Sequence, residues 1–204
     1  MKKFTTIIFV CLTFLAFADG GDDTNQREYI NEYEVNLNLQ YISIYDTVSY
    51  TYNVEKEKKR EVFVTSDIAV YNIAKDSISY IFKGQNIGTI TDFIYETQYY
   101  EQKNTVLFNG NYDPNWESNN SIYLYEKSNN VNVPKRPISN NIIIVTKDLS
   151  FENTSIWLVD KYGKNLQKKI EINSDWNWEI DVKNQQIRCT RQVGKTIEIK
   201  NIPY

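Results

Sequence analysis

The chain has 204 residues and nearly balanced charge, with 23 basic and 26 acidic side chains and a net charge of −3. That length suits one domain able to bury about 70% of its unfolded surface, and the lack of a basic stripe argues against nucleic acid or anionic membrane as main partners. Histidine is absent altogether, which excludes a cysteine–histidine dyad, a serine–histidine triad and any His-containing zinc site.

Residues 1–18 read as a secretory signal peptide. Lys2 and Lys3 form a basic start, Ile7 to Phe17 an apolar run, and Ala16-Phe17-Ala18 a small-x-small cleavage site. The apolar run is shorter than the roughly 20 residues a membrane span needs, so no span is expected once the leader is gone. Removal of Lys2 and Lys3 would leave 21 basic against 26 acidic residues, a charge of −5. The expected product is exported, to the periplasm, the cell surface or the extracellular space. Asp19 to Glu34 reads as a flexible polar lead-in, and residues 35–204 as a single β domain.

Sixteen Tyr, nine Phe and four Trp, with many Ile, Val and Thr, favour the pleated surface of strands. Val35, Leu37 and Leu39 alternate with Asn36, Asn38 and Gln40, the period of a half-buried strand. Tyr41-Ile42-Ser43-Ile44-Tyr45, Glu61-Val62-Phe63-Val64, Ile68-Ala69-Val70-Tyr71, Ser77 to Phe82 and Thr89 to Glu96 continue in that style. The charged run Glu55 to Arg60 reads as a turn. With only seven Gly and four Pro, turns are expected to rely on Asn for left-handed positions. Val133-Pro134-Lys135-Arg136-Pro137 marks a connection or an edge, because its prolines remove ladder donors.

Two hairpins follow one plan. Thr105 to Phe108 and Ser121 to Lys127 form the first, and Ile142 to Val145 and Ser155 to Asp160 the second. Ser121-Ile122-Tyr123-Leu124 and Ser155-Ile156-Trp157-Leu158 are offset by 34 residues. Looser copies lie upstream, in Ser79 to Phe82 with Phe93 to Glu96, and downstream, in Ile187 to Thr190 with Thr196 to Ile199. Units of about 30–45 residues with several strands each have the period of β-propeller blades.

The strand Ser155-Ile156-Trp157-Leu158-Val159-Asp160 with the turn Lys161-Tyr162-Gly163-Lys164-Asn165 resembles the blade of TolB-type, WD40-like propellers. Trp176 and Trp178, with Asp181 to Ile187, stand where that family has its Trp-containing segment, though without its Pro and Gly. The resemblance covers Asn104 to Ile199. It implies an all-β, antiparallel, propeller-like repeat of about four blades, closed or incomplete. The alternative is an antiparallel β-sandwich whose hairpins look alike because all hairpins do. Pairing of Val35–Leu39 with Thr196–Lys200 would close the ring.

Acidic and aromatic residues cluster twice, in Asp113, Trp116 and Glu117 and in Asp175, Trp176, Trp178 and Glu179. A carboxylate beside exposed aromatics suits sugar binding or half of an acid–base pair, whereas buried tryptophans would be anchors between sheets. Asp-x-Asp-x-Asp runs and Gly-rich phosphate loops are lacking, so no metal or cofactor is expected. Cys189, alone after leader removal, reads as a buried, inert thiol. The leading expectation is an exported, non-catalytic module that binds another protein. The alternatives are a carbohydrate-binding or glycan-cleaving module and a degenerate fragment of a larger propeller.

Overall fold

The computed structural model describes residues 30–53, 58–101, 104–109, 132–150 and 152–204. The leader, residues 19–29 and the strand read at Ser121 to Lys127 lie outside them.

Regular structure among the described residues is entirely β, apart from the 3-10 turns Val35–Leu37 and Ile73–Lys75. The strands are β1 (Asn31–Glu34), β2 (Leu39–Asn53), β3 (Lys58–Asn72), β4 (Ser77–Tyr80), β5 (Thr89–Tyr100) and β6 (Thr105–Phe108), then β7 (Asn141–Lys147), β8 (Asn153–Asp160), β9 (Gln167–Asn173), β10 (Asn177–Asp181), β11 (Gln186–Val193) and β12 (Thr196–Pro203). They form three antiparallel sheets, ordered β1-β2-β3-β4, β6-β5-β7-β8-β9 and β10-β11-β12.

The middle sheet is covered on both faces, and β7 shows why. A strand with one wet face alternates polar and apolar residues, but Ile142-Ile143-Ile144-Val145 has no polar position. Ile142 and Ile144 enter a core with Tyr41, Ile68, Val70 and Phe82 of the first sheet and the loop after it. Ile143 and Val145 enter a second core with Ile180, Ile187 and Cys189 of the third sheet. β8 divides in the same way, with Ile156 and Leu158 in the second core and Val159, with Trp157 packed against it, in the first. In β5 a bulge between Ile90 and Asp92 lets Ile90 and Phe93 share the first core although they are three residues apart. The described residues therefore form a three-layer stack of antiparallel sheets, a sandwich with an additional layer.

The expected hairpin of Ile142–Val145 with Ser155–Asp160 is present, with Ile143 opposite Leu158 and Ile144 opposite Trp157. Closure of a ring is not. Val35–Leu37 is a 3-10 turn, Leu39 pairs with Glu34 and Asn72, and β12 pairs only with β11 among the described residues. The upstream copy does not form a hairpin either. Ser79 and Tyr80 pair with β3, and left-handed Lys83 and Gly84 follow before the chain enters the middle sheet. Strand structure also begins earlier than Val35, since Asn31–Glu34 pairs with Leu39–Ile42.

Asn38, Asn104 and Asn165 occupy left-handed turn positions, as the shortage of glycine requires. Gly88 is irreplaceable for a second reason: a Cβ there would lie 1.9 Å from the Lys147 carbonyl oxygen. The Val133–Pro137 stretch is an extended connection outside the sheets, as its prolines predict.

If both faces of β7 are core, Ile143→Ala and Ile144→Ala should each cost about 2–5 kcal/mol. Urea unfolding of the two variants measures this; a two-layer protein would show one large loss and one small.

Candidate functional site

Ionisable side chains in the interior are the first place to look for chemistry. Glu96 of β5 is fully buried and accepts from four donors. Arg136 approaches it with both terminal nitrogens, at 2.8 and 2.6 Å. The Ser139 N–H donates at 2.7 Å and the Tyr204 hydroxyl at 3.0 Å. Burial and the adjacent Glu96 carboxylate push the Tyr204 hydroxyl pKa far up, so it stays a donor. Arg136 also donates to the Val182 carbonyl at 3.1 Å. With its lone pairs occupied by protein groups, Glu96 has nothing to offer a substrate.

On the other side of the same strand, the buried Lys161 ammonium donates to the Glu96 carbonyl at 2.7 Å and to Glu34 at 3.2 Å. It also lies 5.3 Å from the centre of the Tyr95 ring. The Tyr41 hydroxyl donates to the Lys161 carbonyl at 2.8 Å. Both groups act as cross-layer fastenings. Among the described residues no cluster of three or more Cys, Asp or Glu side chains could hold a metal.

Carboxylates also organise turns. Asp160 accepts from the N–H groups of Tyr162 and Lys164 and from the Asn165 side chain, and Asp148 does the same for Glu152 and Asn153. Burial works against charge on Asp181, but hydrogen bonds from Asn184 and Gln186 and the Arg188 guanidinium outweigh it and hold its carboxyl below the usual range.

The acidic–aromatic residues singled out from the sequence fall into two groups. Asp113, Trp116 and Glu117 lie outside the described residues. Asp175 is exposed and ion-paired with Arg191 at 3.4 Å. Trp176 is buried in the second core, its ring covered by Arg191 at 4.9 Å and Lys200 at 4.4 Å. Trp178 is half-buried against that core. The Trp176 indole, buried and covered by these cations, presents no open platform for a sugar ring. Cys189 is fully buried, and burial raises its thiol pKa against the smaller opposing effect of Lys200, so an inert thiol results.

A different surface stands out. On the outer side of the first sheet, register places Tyr33, Gln40, Tyr71 and Ile78 in one cross-strand row and Asn31, Ile42, Ala69 and Tyr80 in the next. The intervening rows carry Leu39, Tyr41 and Val70 into the core, so these two rows face away from it. Not one of their positions is charged. Tyr33 on β1 is 58% exposed, and Ile78 and Tyr80 on β4, at the opposite edge, are 60% and 47% exposed. Exposed Val35 and Ile73 stand in the 3-10 turns at the end of the same sheet. The outer face of the third sheet contrasts with it, carrying the Glu179–Arg188–Asp181 ion pairs.

Sequence reasoning missed this surface for a definite reason. In β4, Ile78 and Tyr80 alternate with Ser77 and Ser79, the pattern of a strand with an apolar core face. Here the serines lie in the inward rows and the apolar residues in the outward ones. Tyr33 was hidden in a segment whose polarity suggested a lead-in.

No family model, curated protein or solved structure matches the chain. The TolB-type resemblance stands on its quoted residues alone.

Removing one partner of a buried pair leaves a stranded charge. Arg136→Met should therefore cost about 3–5 kcal/mol, with part of the loss recovered in Arg136→Met/Glu96→Leu. Chemical denaturation of both variants checks it; a loss under 1 kcal/mol for the single variant contradicts a fastening role.

Proposed function

We propose that the protein is an exported, non-catalytic binding module whose partner is another protein, held against the outer face of the β1–β4 sheet. The observation that carries this is the pair of charge-free rows with exposed Tyr33, Ile78 and Tyr80. Protein interfaces are enriched in Tyr and depleted of charge at their centre. The buried Glu96, Glu34 and Lys161 have structural partners and the Cys189 thiol is enclosed in the core, which further supports a non-catalytic reading. Export rests on the leader reading of residues 1–18.

A photo-activated cross-linker placed at Ile78 in the native host should trap one protein partner in the extracytoplasmic fraction. Tyr33→Ser/Tyr80→Ser should abolish that adduct while changing stability by no more than about 1 kcal/mol, because both residues are on the surface. An adduct that survives both substitutions contradicts this face as the site. Glycan-array binding lost in the same variant would assign the face to carbohydrate instead.

A further inference from the structure

We propose that two copies of the chain pair edge to edge through β12, antiparallel, about a twofold axis at Ile199. β12 is an edge strand of eight residues whose inner side pairs with β11 along its whole length, from Gln186–Pro203 to Val193–Thr196. No described strand covers its other side. The other edges that no described strand covers are shorter or interrupted. β1 and β4 have four residues each, and β9 carries Lys168 and Lys169 at an irregular register against Ile156–Trp157.

The phase of the ladder determines what that edge presents. The Tyr204 N–H donates to the Gln185 carbonyl at 3.1 Å. Hydrogen-bonded pairs alternate in an antiparallel ladder, so Ile202, Lys200 and Glu198 turn their amides to β11. Ile197, Ile199 and Asn201 turn theirs outward. Pro203 shares the outward phase, so its missing N–H costs the β11 ladder nothing.

One register joins these outward amides to complementary charges. With Ile199 opposite Ile199, the outward amides of Ile197 and Asn201 meet their counterparts. Glu198 then faces Lys200 on both sides of the axis, at the non-hydrogen-bonded positions where side chains approach most closely. Centring on Lys200 would oppose two lysines at positions of closest side-chain approach. Centring on Asn201 would place Pro203, which has no donor, opposite Ile199. Centring on Ile197 would lose the charge pairing. The chosen register also brings Ile199, 57% exposed, against its own copy and places Ile197, 69% exposed, beside the seam. The partner is thus a second copy of this chain, and the paired edges form one continuous six-stranded sheet from two third sheets.

Charge reversal tests it. By sedimentation velocity at low salt the full exported chain should show a concentration-dependent species of twice the chain mass. Glu198→Lys and Lys200→Glu should each weaken the dimer on the order of tenfold, because each sets like charges opposite one another twice. An equimolar mixture of the two variants should restore it as a heterodimer. Ile199→Pro, which removes a donor only from the open side, should also give a monomer with an unchanged melting transition. A wild-type chain monomeric up to on the order of 1 mM, a dimer indifferent to both charge reversals, or one that persists in Ile199→Pro would overturn the proposal.

Discussion

The constraint on which the rest of the structure depends is the double-sided burial of β7. Four consecutive β-branched residues, Ile142 to Val145, are fully or almost fully removed from water. A strand of that kind needs a cover on each face, because leaving either exposed would forfeit about 1.5–3 kcal/mol per side chain. The two covers are built from chain segments on either side of the middle sheet in sequence. Residues before Thr89 form one layer and residues after Asn173 the other. Each layer is a local meander, so no long-range threading is needed beyond stacking three units.

Apolar packing alone leaves layers free to slide, and Glu96 counters that. Its carboxylate receives Arg136, which also holds the Val182 carbonyl before the third sheet continues. Its carbonyl receives Lys161, which also holds Glu34 of the first sheet. One residue of the middle sheet is therefore tied to both neighbours, through its side chain on one side and its backbone on the other. Pairs of this kind are costly to bury and contribute through specificity of geometry more than through net stability. The aromatic trio Tyr41, Phe93 and Tyr95, with centroids 5.1 to 5.7 Å apart, packs the interface beside the Lys161 fastening.

Much of this was legible in the sequence. The β7–β8 hairpin, its alternation, the Asn-based turns, the proline connection and the buried cysteine all follow from local rules. The relation between hairpins does not. Similar period-2 hairpins can follow one another around a ring or stack in layers, and nothing in Ser121–Leu124 or Ser155–Leu158 distinguishes the two. The inversion in β4, where Ile78 and Tyr80 turn outward, was invisible because alternation reveals that two faces differ and not which one meets the core. The Glu96 fastening was equally hidden, since its partners lie 40 and 108 residues away in sequence.

The proposed functions both reside on surfaces. The charge-free outer face of the first sheet and the open edge of β12 lie on different outer layers, so a partner and a second copy would not compete for the same strands. Both surfaces are held in place by the middle sheet, and amide hydrogen exchange tests its role most directly. The amides of Ile143, Ile144 and Trp157 should exchange only through global unfolding, with protection equal to the full unfolding free energy, while those of Ser77 to Tyr80 in the edge strand β4 exchange through local opening. Exchange of the β7 amides as fast as those of β4 would contradict a doubly covered middle sheet.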